Sequence, residues 1–404
     1  MRLVKCMALA LEGTLALSMG YLLALLLAAR DAAPDPSESP PAPSQAGLRF
    51  VVLIPAHNEE AGIGATLDSL AESCYDAGAW RAVVIADNCT DGTAERVRAA
   101  GVEVWERTDP DRRGKGYALG WAMDQLRAQG PTCDAVVVLD ADCVASPNLL
   151  SAIDRRLRSG ASAVQANYLA GNADASHASA LRCAGFALMN TVRFQGKQQL
   201  GLSCGLVGTG MAFTMDLLER QPWTATGLVE DGEYHMRLVL GGERTEFVAD
   251  ASVSSPVPTS LRGGSDQQAR WEQGKLQLIR SWSPRLVASG LARRDIVRVH
   301  AGLECLVPPQ SLIAAGSIGS TLAGLLLGSR TLIALSAATI AAQCAFVLGG
   351  LRLVRAPAQV YRALLVAPAL IVSKVALYAR LLGGRGPSAW IRTERDAPVC
   401  TWEG

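Results

Sequence analysis

The chain has 404 residues, of which 50% are hydrophobic and 19% are charged, and its formal net charge is +1. This composition is more apolar than that of an ordinary soluble enzyme, so we expect a membrane component. The near-zero charge excludes the large basic field that a non-specific nucleic-acid binder needs, and we expect no nucleic-acid partner.

The N-terminal segment 1–30 is predicted to be a membrane helix. The stretch from Cys6 to Ala29 carries a single charge, at Glu12, and is about long enough to cross a hydrocarbon core of ~30 Å. A cleaved signal peptide is the alternative, but its apolar run is typically only about 7 to 15 residues. Residues 31–47 are rich in Pro and Ser and are predicted to be an extended tether.

Residues 48–260 are predicted to form one α/β domain. Five runs rich in β-branched residues are predicted strands: Leu48 to Pro55, Ala82 to Asp87, Val102 to Glu106, Ala135 to Asp140 and Ala163 to Tyr168. Helical stretches follow the first four: Glu59 to Ser73, Asp91 to Ala100, Gly116 to Ala128 and Asn148 to Leu157. The alternation indicates a mostly parallel sheet with helices on both faces, and ligands bind beyond the carboxyl ends of such strands.

Residues 261–305 are predicted to form polar and interfacial helices, followed by a membrane region at 306–382 and a tail at 383–404. Two apolar segments, Ser311 to Gly328 and Leu332 to Gly350, are typical of membrane helices. A third segment, Val360 to Leu382, is interrupted by Lys374, and it fits either a third span or an interfacial helix.

Charge and cysteine content favour a multi-pass protein of the inner or plasma membrane with its catalytic domain in the cytoplasm. The ten cysteines include no C-x-x-C pair, which favours reduced thiols. Arginines before and after the two C-terminal apolar segments place those ends in the cytoplasm. Arg2 and Lys5 favour the same side for the N-terminus, so the orientation of the first helix stays open.

Acidic residues end two of the predicted strands. Asp87 stands where a carboxylate can meet a ligand above the sheet, and an Asx-turn or a helix N-cap is the structural alternative. Asp140 and Asp142 leave a buried strand with one residue between them, and their hard oxygens suit Mg²⁺ or Mn²⁺. Such an ion would neutralise charge on a departing nucleoside diphosphate.

Two further motifs follow these aspartates. Glu230 and Asp231 precede an amphipathic helical run, so either residue caps that helix, or Asp231 is a general base for an acceptor hydroxyl. Gln267, Arg270 and Trp271 share one face of a predicted helix. This face can bind a diphosphate through Arg and stack a sugar on Trp, or it can rest on the membrane surface.

In this order the four motifs resemble the D, D-x-D, E/T-D and Q-x-x-R-W signature of membrane-integrated family 2 glycosyltransferases, which include cellulose, hyaluronan, chitin-oligosaccharide and poly-N-acetylglucosamine synthases. The resemblance covers roughly Phe50 to Arg280, and more loosely the C-terminal spans and the W-x-R-T-x-R at Trp390 to Arg395. It implies a GT-A fold, a UDP-sugar donor and inversion at the anomeric carbon to give a β-linkage.

The resemblance also implies roles for single residues. Donor binding falls on Ala56, Glu59, Asp87, Lys115 and Asp140. Asp140 and Asp142 would serve the metal, and Asp231 would be the catalytic base. Contacts to the acceptor and the diphosphate fall on the helix motif and a glycine-rich loop: Gln267, Arg270, Trp271, Gly208 and Gly210.

The leading interpretation is a transferase that extends a β-linked exopolysaccharide or oligosaccharide. Exporters of long polymers carry more membrane helices, so export or partner subunits are part of this expectation. The alternative is a lipid glycosyltransferase whose ceramide- or diacylglycerol-like acceptor comes from the bilayer. A dinucleotide-dependent oxidoreductase would need G-x-G-x-x-G after the first strand, and the chain has PAHNEEAGIG there.

Overall fold

The computed structural model describes residues 2–31, 47–130, 132–260 and 265–383. Except at its two ends, the predicted tether lies outside the described residues, as do the W-x-R-T-x-R segment and the tail beyond residue 383. The nine cysteines in the described residues are free.

A single mixed sheet forms the centre of the domain. Its strands in the described residues are β1 (Phe50–Ala56), β2 (Trp80–Asp87), β3 (Glu103–Arg107), β4 (Ala135–Val138), β5 (Val144–Ala145), β6 (Ala163–Ala170), β7 (Met211–Thr214) and β8 (Thr245–Ser255). The strand order is β3-β2-β1-β4-β7-β6-β8-β5. Strand β7 is antiparallel to β4 and β6, and β5 is antiparallel to β8, while the other neighbours are parallel.

The α-helices are α1 (Arg2–Arg30), α2 (Ile63–Ala71), α3 (Thr93–Ala99), α4 (Lys115–Ala128), α5 (Leu149–Arg158), α6 (His177–Phe186), α7 (Arg193–Gln199), α8 (Met215–Arg220), α9 (Glu230–Gly241), α10 (Ser265–Ser281), α11 (Ser283–Arg293), α12 (Ile296–Glu304), α13 (Gln310–Leu326), α14 (Arg330–Leu353), α15 (Ala358–Ala363) and α16 (Ala367–Leu382). A π-helical turn, Ala187–Val192, joins α6 to α7, and a 3₁₀ turn, Leu364–Val366, joins α15 to α16.

The sheet is covered on both faces because its central strands are apolar at every position. In β1, Val52 and Ile54 face one hydrophobic core, and Val51 and Leu53 face a second core on the opposite side. All five predicted strands are present, although the fourth ends at Val138 and leaves Asp140 in the loop that follows. The predicted GT-A class, with apolar helices at both ends of the chain, is confirmed.

The sequence pattern did not predict β5, β7 or β8. Strand β8, with the sequence TEFVADASVSS, mixes polar and small residues and has no continuous apolar run. A register shift between Ala166 and Asn167 of its partner β6 further disrupts any alternation. Tertiary pairing therefore forms these strands, and local propensity contributes less.

Apolar helices from both ends of the chain pack into one bundle. Three of them in the described residues are long and apolar enough to cross a membrane, Arg2–Arg30, Arg330–Leu353 and Ala358–Leu381, whereas α13 is shorter. Near the ends of α1 and α14, a Cβ placed on Gly349 would lie 2.9 Å from Leu26 Cδ2. The side chain of Gln343 in α14 donates to Gln310 Oε1 at the start of α13, at 2.7 Å. These contacts bring the C-terminal ends of α1 and α14 together and place the N-terminal end of α13 beside the middle of α14.

A buried group of charged and polar side chains fastens α1 to the sheet domain. We call Tyr21, Arg193, Lys197, His300 and Glu304 the anchor cluster. The Glu304 carboxylate accepts from Arg193 at 2.8 Å and from Lys197 at 3.0 Å. Tyr21 of α1 lies 2.9 Å from His300 Nε2 and 3.4 Å from Glu304 Oε1. Burial opposes ionisation of Glu304, but the two cations hold the pKa of its carboxyl well below the ordinary value.

Candidate active site

The candidate site lies at the carboxyl ends of the parallel strands β1, β2 and β4. In register, Ala56 at the end of β1 pairs with Ala86, so Asp87 at the end of β2 lies beside it. Asp140 and Asp142 come from the loop directly after β4, on the other side of β1. The edge of the sheet at which the sequence predicts ligand binding therefore carries three carboxylates.

Asp87 is buried and paired with a residue that the sequence analysis did not identify. Arg107, at the end of β3, donates to Asp87 Oδ1 at 2.5 Å and to Asp109 at 3.0 Å. Helix α3 begins after Gly92, and Asp91 rather than Asp87 accepts from the Thr93 backbone at its start. Asp87 is therefore not the N-cap of this helix, and Arg107 fixes its position at the strand end.

Ala56 and Glu59 belong to the loop that leaves β1. The Ala56 carbonyl accepts a weak hydrogen bond from Cys89 Sγ at 3.5 Å, and the Glu59 amide donates to Thr93 Oγ1 at 2.9 Å. A Cβ placed on Gly62 would lie 3.4 Å from Glu59 Oε2 and 4.0 Å from Asp142 Cβ. The loops after β1 and β4 thus approach each other at Gly62, with one carboxylate on each side.

Asp140, Asp142 and Cys143 form a group of metal-ligand type. One potential ligand atom from each residue lies within 4.8 Å of the other two. Burial raises the pKa of the Cys143 thiol, and sulfur is a ligand for softer metals than Mg²⁺ or Mn²⁺. The two carboxylates remain, and their chemistry fits Mg²⁺ or Mn²⁺.

Lys115, at the start of α4, connects the aspartates to the acidic pair of α9. Its Nζ donates to Asp140 Oδ1 at 2.5 Å and to the Gly208 carbonyl at 2.7 Å, and it lies 4.0 Å from Glu230 Oε1. Burial disfavours the ammonium form, but Asp140 and Glu230 outweigh it and raise the pKa of Lys115 to about 12. Lys115 is therefore a fixed cation surrounded by carboxylates.

Glu230 and Asp231 open the first turn of α9 and point toward Lys115. Burial and the neighbouring Asp231 charge raise the pKa of Glu230 to about 7. Burial also raises the pKa of Asp231, against the attraction of Lys115. Asp231 Oδ1 accepts from the Gly232 amide at 2.7 Å, so it supports its own helix turn as well. We call Lys115, Asp140, Glu230 and Asp231 the active-site cluster, in which three carboxylates share one cation.

A glycine-rich loop closes the active-site cluster. A Cβ on Gly208, whose φ is +89°, would lie 3.2 Å from Lys115 Nζ and 3.3 Å from Asp231 Oδ2. At Gly210, with φ +66°, a Cβ would lie 3.0 Å from Val253 Cγ2. Both positions therefore require glycine, for backbone conformation and for space.

Gln165, fully buried on β6, holds this loop in place and was also missed by the sequence analysis. Its amide nitrogen donates to the Thr209 carbonyl at 2.8 Å, and its oxygen accepts from the Val207 amide at 3.0 Å. Thr209 Oγ1 in turn accepts from the Asp140 amide at 3.0 Å. The loop after β4 and the glycine-rich loop are thus joined by hydrogen bonds.

Helix α10 brings the last predicted motif to the same place. A Cβ on Gly274 would lie 2.5 Å from Val229 Cγ1, so α10 crosses the start of α9 closely. Burial lowers the pKa of Arg270, and the charge of Glu230 opposes this shift, which places the guanidinium within the field of the active-site cluster. Trp271 is 41% exposed and contacts Phe186, with 6.4 Å between ring centroids, and Gln267 is half-buried on the same helix.

Helix α10 is also tied to an apolar helix. Glu272, next to Trp271, is buried and accepts from Lys374 Nζ of α16 at 2.6 Å and from the Tyr378 hydroxyl. The sequence contains no local signal for this pairing, because about a hundred residues separate its partners.

Comparison with known proteins assigns residues 47–274 to the model described as "Glycosyltransferase like family 2". Over 256 residues the chain is 25% identical to glucomannan 4-beta-mannosyltransferase 7 of Arabidopsis thaliana. The aligned region covers 59% of this chain and 45% of the relative. Over 109 residues it is 33% identical to the low-salt glycan biosynthesis hexosyltransferase Agl6 of Haloferax volcanii, covering 27% of this chain and 24% of the relative.

Among solved structures, the mannosyltransferase PcManGT from Pyrobaculum calidifontis, in complex with GDP-Man and Mn²⁺, is similar at 20% identity with a TM-score of 0.47. The similarity covers 83% of this chain and 98% of that one. Probable glycosyltransferase YdaM of Bacillus subtilis is 25% identical over 242 residues, covering 56% of this chain and 55% of the relative. The chain therefore spans at most about half the length of the curated relatives it matches.

Proposed function

The chain belongs to glycosyltransferase like family 2, and on this basis we propose that it is a membrane-anchored, metal-dependent, inverting hexosyltransferase. The donor is a nucleoside-diphosphate sugar, first of all a UDP-sugar, and the acceptor is a growing β-linked saccharide. The observation that carries the proposal is the active-site cluster. Lys115 stands between the D-x-D carboxylate Asp140 and the acidic pair of α9, with Arg270 in the same field.

The carboxylates of the active-site cluster outnumber its one cation, Lys115, and this supports the binding of a metal ion and, through that ion, of the donor. Asp140 and Asp142 would hold Mg²⁺ or Mn²⁺, and the ion would neutralise charge on the departing diphosphate. Lys115 and Arg270 are the cations within the cluster's field that would face the diphosphate oxygens. Ala56, Glu59 and Asp87, at the ends of β1 and β2, would bind the nucleoside.

Asp231 would be the general base. Its carboxylate would take the proton from an acceptor hydroxyl as that oxygen attacks the anomeric carbon from the face opposite the diphosphate. The bond from the anomeric carbon to the diphosphate oxygen breaks in the same step, so the configuration inverts. Because burial raises the pKa of Asp231, its ionised form is a stronger base than an exposed aspartate.

We place the catalytic domain in the cytoplasm, where nucleotide sugars are found. Arg30, Arg352 and Arg355 end α1 and α14 on the side of the sheet domain, and Arg293 and Arg294 precede α13 on that side. The positive-inside rule favours the cytoplasm for this end of the bundle. The N-terminal end of α1, with Arg2 and Lys5, would then lie on the far side of the membrane.

A lipid acceptor is the second candidate, and the position of α10 favours it. The exposed Trp271 lies next to Glu272, which is bound to Lys374 and Tyr378 of an apolar helix. An acceptor that arrives from the bilayer would therefore reach the Trp271 face of α10 first.

The test incubates membranes that contain the protein with Mn²⁺ and radiolabelled UDP-glucose, UDP-N-acetylglucosamine, UDP-galactose or GDP-mannose. The product is then partitioned between water and organic solvent. Label in an enlarging water-soluble product supports the saccharide acceptor, and label in the organic phase supports the lipid acceptor. The matched control for Asp231→Asn is Asp216→Asn, since Asp216 is an exposed aspartate paired only with Arg220 of its own helix. Full activity in Asp231→Asn would refute the mechanism, and full activity in EDTA would refute the metal requirement.

A further inference from the structure

A pocket of about 480 Å³ lies where the C-terminal ends of α1 and α14 meet. It is lined by Arg30, Gly349, Arg352, Leu353 and Arg355. A Cβ on Gly349 would lie 3.0 Å from Arg30 Nη2, so the absence of a side chain there lets this guanidinium lie against α14. Across the part of the chain that the structure describes, the three guanidinium groups form no hydrogen bond or ion pair.

The turn after α14 brings Arg355 back toward Arg352. The Arg355 amide donates to the Arg352 carbonyl at 3.1 Å, and the Ala356 amide donates to the Leu351 carbonyl at 2.9 Å. This is a Schellman motif, in which the left-handed residue is usually glycine. Here that residue is Arg355, with φ +50°. A bulky cation thus occupies a position where glycine would fit the backbone better.

The pocket lies at the depth of lipid headgroups. Arg330 and Arg352 mark the two ends of α14, about 33 Å apart at a rise of about 1.5 Å per residue. This length matches a hydrocarbon core of about 30 Å. The apolar surface of α14 includes the exposed Leu348, and the arginines begin one turn later.

We propose that this pocket binds the phosphate of an anionic phospholipid in the leaflet next to the sheet domain. Guanidinium groups match phosphate oxygens in charge and in fork geometry. Basic pockets between membrane helices at the cytoplasmic surface suit such headgroups. The occupant is a lipid and not a free anion, because the pocket opens where the apolar surface of the bundle ends. The inference rests on the proposed membrane anchoring and is independent of sugar transfer.

The test compares wild-type protein in neutral detergent with the triple variant Arg30→Gln/Arg352→Gln/Arg355→Gln. Phosphatidylglycerol or phosphatidylcholine is added, and the thermal midpoint and the lipid bound in native mass spectra are measured. The control Arg293→Gln/Arg294→Gln/Arg330→Gln removes the same charge from exposed arginines elsewhere. We expect phosphatidylglycerol to raise the midpoint of the wild type and the control, and we expect at least about tenfold weaker binding in the triple variant.

Arg355→Gly is a second pocket variant, which tests the proposal even if the triple variant misfolds. Glycine suits the left-handed conformation at this position, so this variant should fold. This variant should be at least as stable as the wild type without lipid and should bind phosphatidylglycerol more weakly. Equal binding of phosphatidylglycerol by the wild type and by both pocket variants would overturn the proposal. An equal midpoint shift with inorganic phosphate alone would also overturn it, in favour of a site for free phosphate.

Discussion

The active-site cluster and the anchor cluster both bury charged side chains, but they balance charge in opposite ways. The first surrounds one cation, Lys115, with three carboxylates, and the second surrounds one carboxylate, Glu304, with two cations. The pKa of Glu230 is accordingly raised and that of Glu304 is lowered. Burial acts in the same direction on both groups, so the neighbouring charges make the difference.

This difference separates a site built for a ligand from a structural joint. Excess negative charge destabilises the unliganded protein, and a divalent metal ion held by these carboxylates would relieve it. In the anchor cluster the Glu304 carboxylate is already paired with two cations, and these contacts join α1, α7 and α12. Within the described residues, Arg193 Nε and His300 Nδ1 are buried there without a hydrogen-bond partner. The opposite directions of the two pKa shifts thus distinguish the clusters, and the raised pKa of Glu230 agrees with the proposed ligand site.

The largest expected effect is on catalysis, in Asp231→Asn. Asparagine fills the same space but accepts no proton, so we expect kcat to fall by about 10²–10⁴-fold, the range for loss of a general base. Because the substitution removes one charge from an over-negative cluster, the thermal midpoint should stay equal or rise. If Asp231→Asn loses both activity and stability, the active-site cluster has a structural role like that of the anchor cluster, and the contrast between the two clusters is wrong.

The next effect is on stability, in Glu304→Ala. It leaves Arg193 and the almost fully buried Lys197 without a carboxylate, and breaking such a buried pair costs about 3–5 kcal/mol. Thermal unfolding in detergent measures the loss. Glu243→Ala is the control, because Glu243 pairs with the half-exposed Arg220 and should change little. An equal loss in both variants would contradict a special role for the anchor cluster.

The two clusters should also give stability opposite pH dependences when metal is removed with EDTA. The raised pKa of Glu230 means that the folded state binds the proton more tightly, so stability is lost as pH rises through about 7. The lowered pKa of Glu304 means that stability is lost as pH falls below the ordinary glutamate value.

The thermal midpoint should therefore peak between these two limits. Glu230→Gln should reduce the loss on the alkaline side, where the raised pKa of Asp231 also contributes. Glu304→Gln should reduce the loss on the acid side without abolishing it, because burial also lowers the pKa values of His235 and His300. An alkaline decrease that persists in Glu230→Gln would show that another group, and not the excess negative charge at this carboxyl, controls it.

The positions of the acidic residues at the strand ends could be predicted from the sequence. Parallel strands bring their carboxyl ends to one edge, so Asp87 and Asp140 could be placed together from two separate apolar runs. Arg107, which pairs with Asp87, and Gln165, which holds the glycine-rich loop, could not be predicted in the same way. Arg107 comes from β3, the neighbour of β2, and Gln165 comes from β6, which β7 separates from β4. The strand order that brings them to the site is a property of the whole sheet.

The apolar helices show the same limit. The lengths of the apolar runs predicted helices close to Arg2–Arg30, Gln310–Leu326, Arg330–Leu353 and Ala358–Leu381, and all of these except Gln310–Leu326 are long enough to cross a membrane. Their relative order was not predictable, since it depends on contacts such as Gln343 with Gln310 and Tyr21 with His300. The contacts fix the position of α1 relative to the sheet domain, and its orientation in a membrane belongs to the proposed topology.

The smallest expected effect tests a third charged contact, between Glu272 of α10 and Lys374 of α16. It is a one-to-one ion pair that lacks the excess of carboxylates in the active-site cluster, and its side chains are about as buried as those of Arg193 and Glu304. Lys374→Met should loosen α10 and misplace Arg270 and Trp271. We expect kcat/KM to fall by roughly 2- to 30-fold, the range for a coupling of about 0.5–2 kcal/mol.

The change should fall on the KM of the acceptor more than on that of the donor, because the nucleoside is predicted to bind at strand ends that α16 does not touch. Ser373→Ala, at an exposed neighbouring position, is the control. In the double variant Glu272→Gln/Lys374→Met the effects should not add, since both changes remove one interaction. Additive losses would mean that the two residues act separately, and α16 would then be a passive anchor with no influence on the active site.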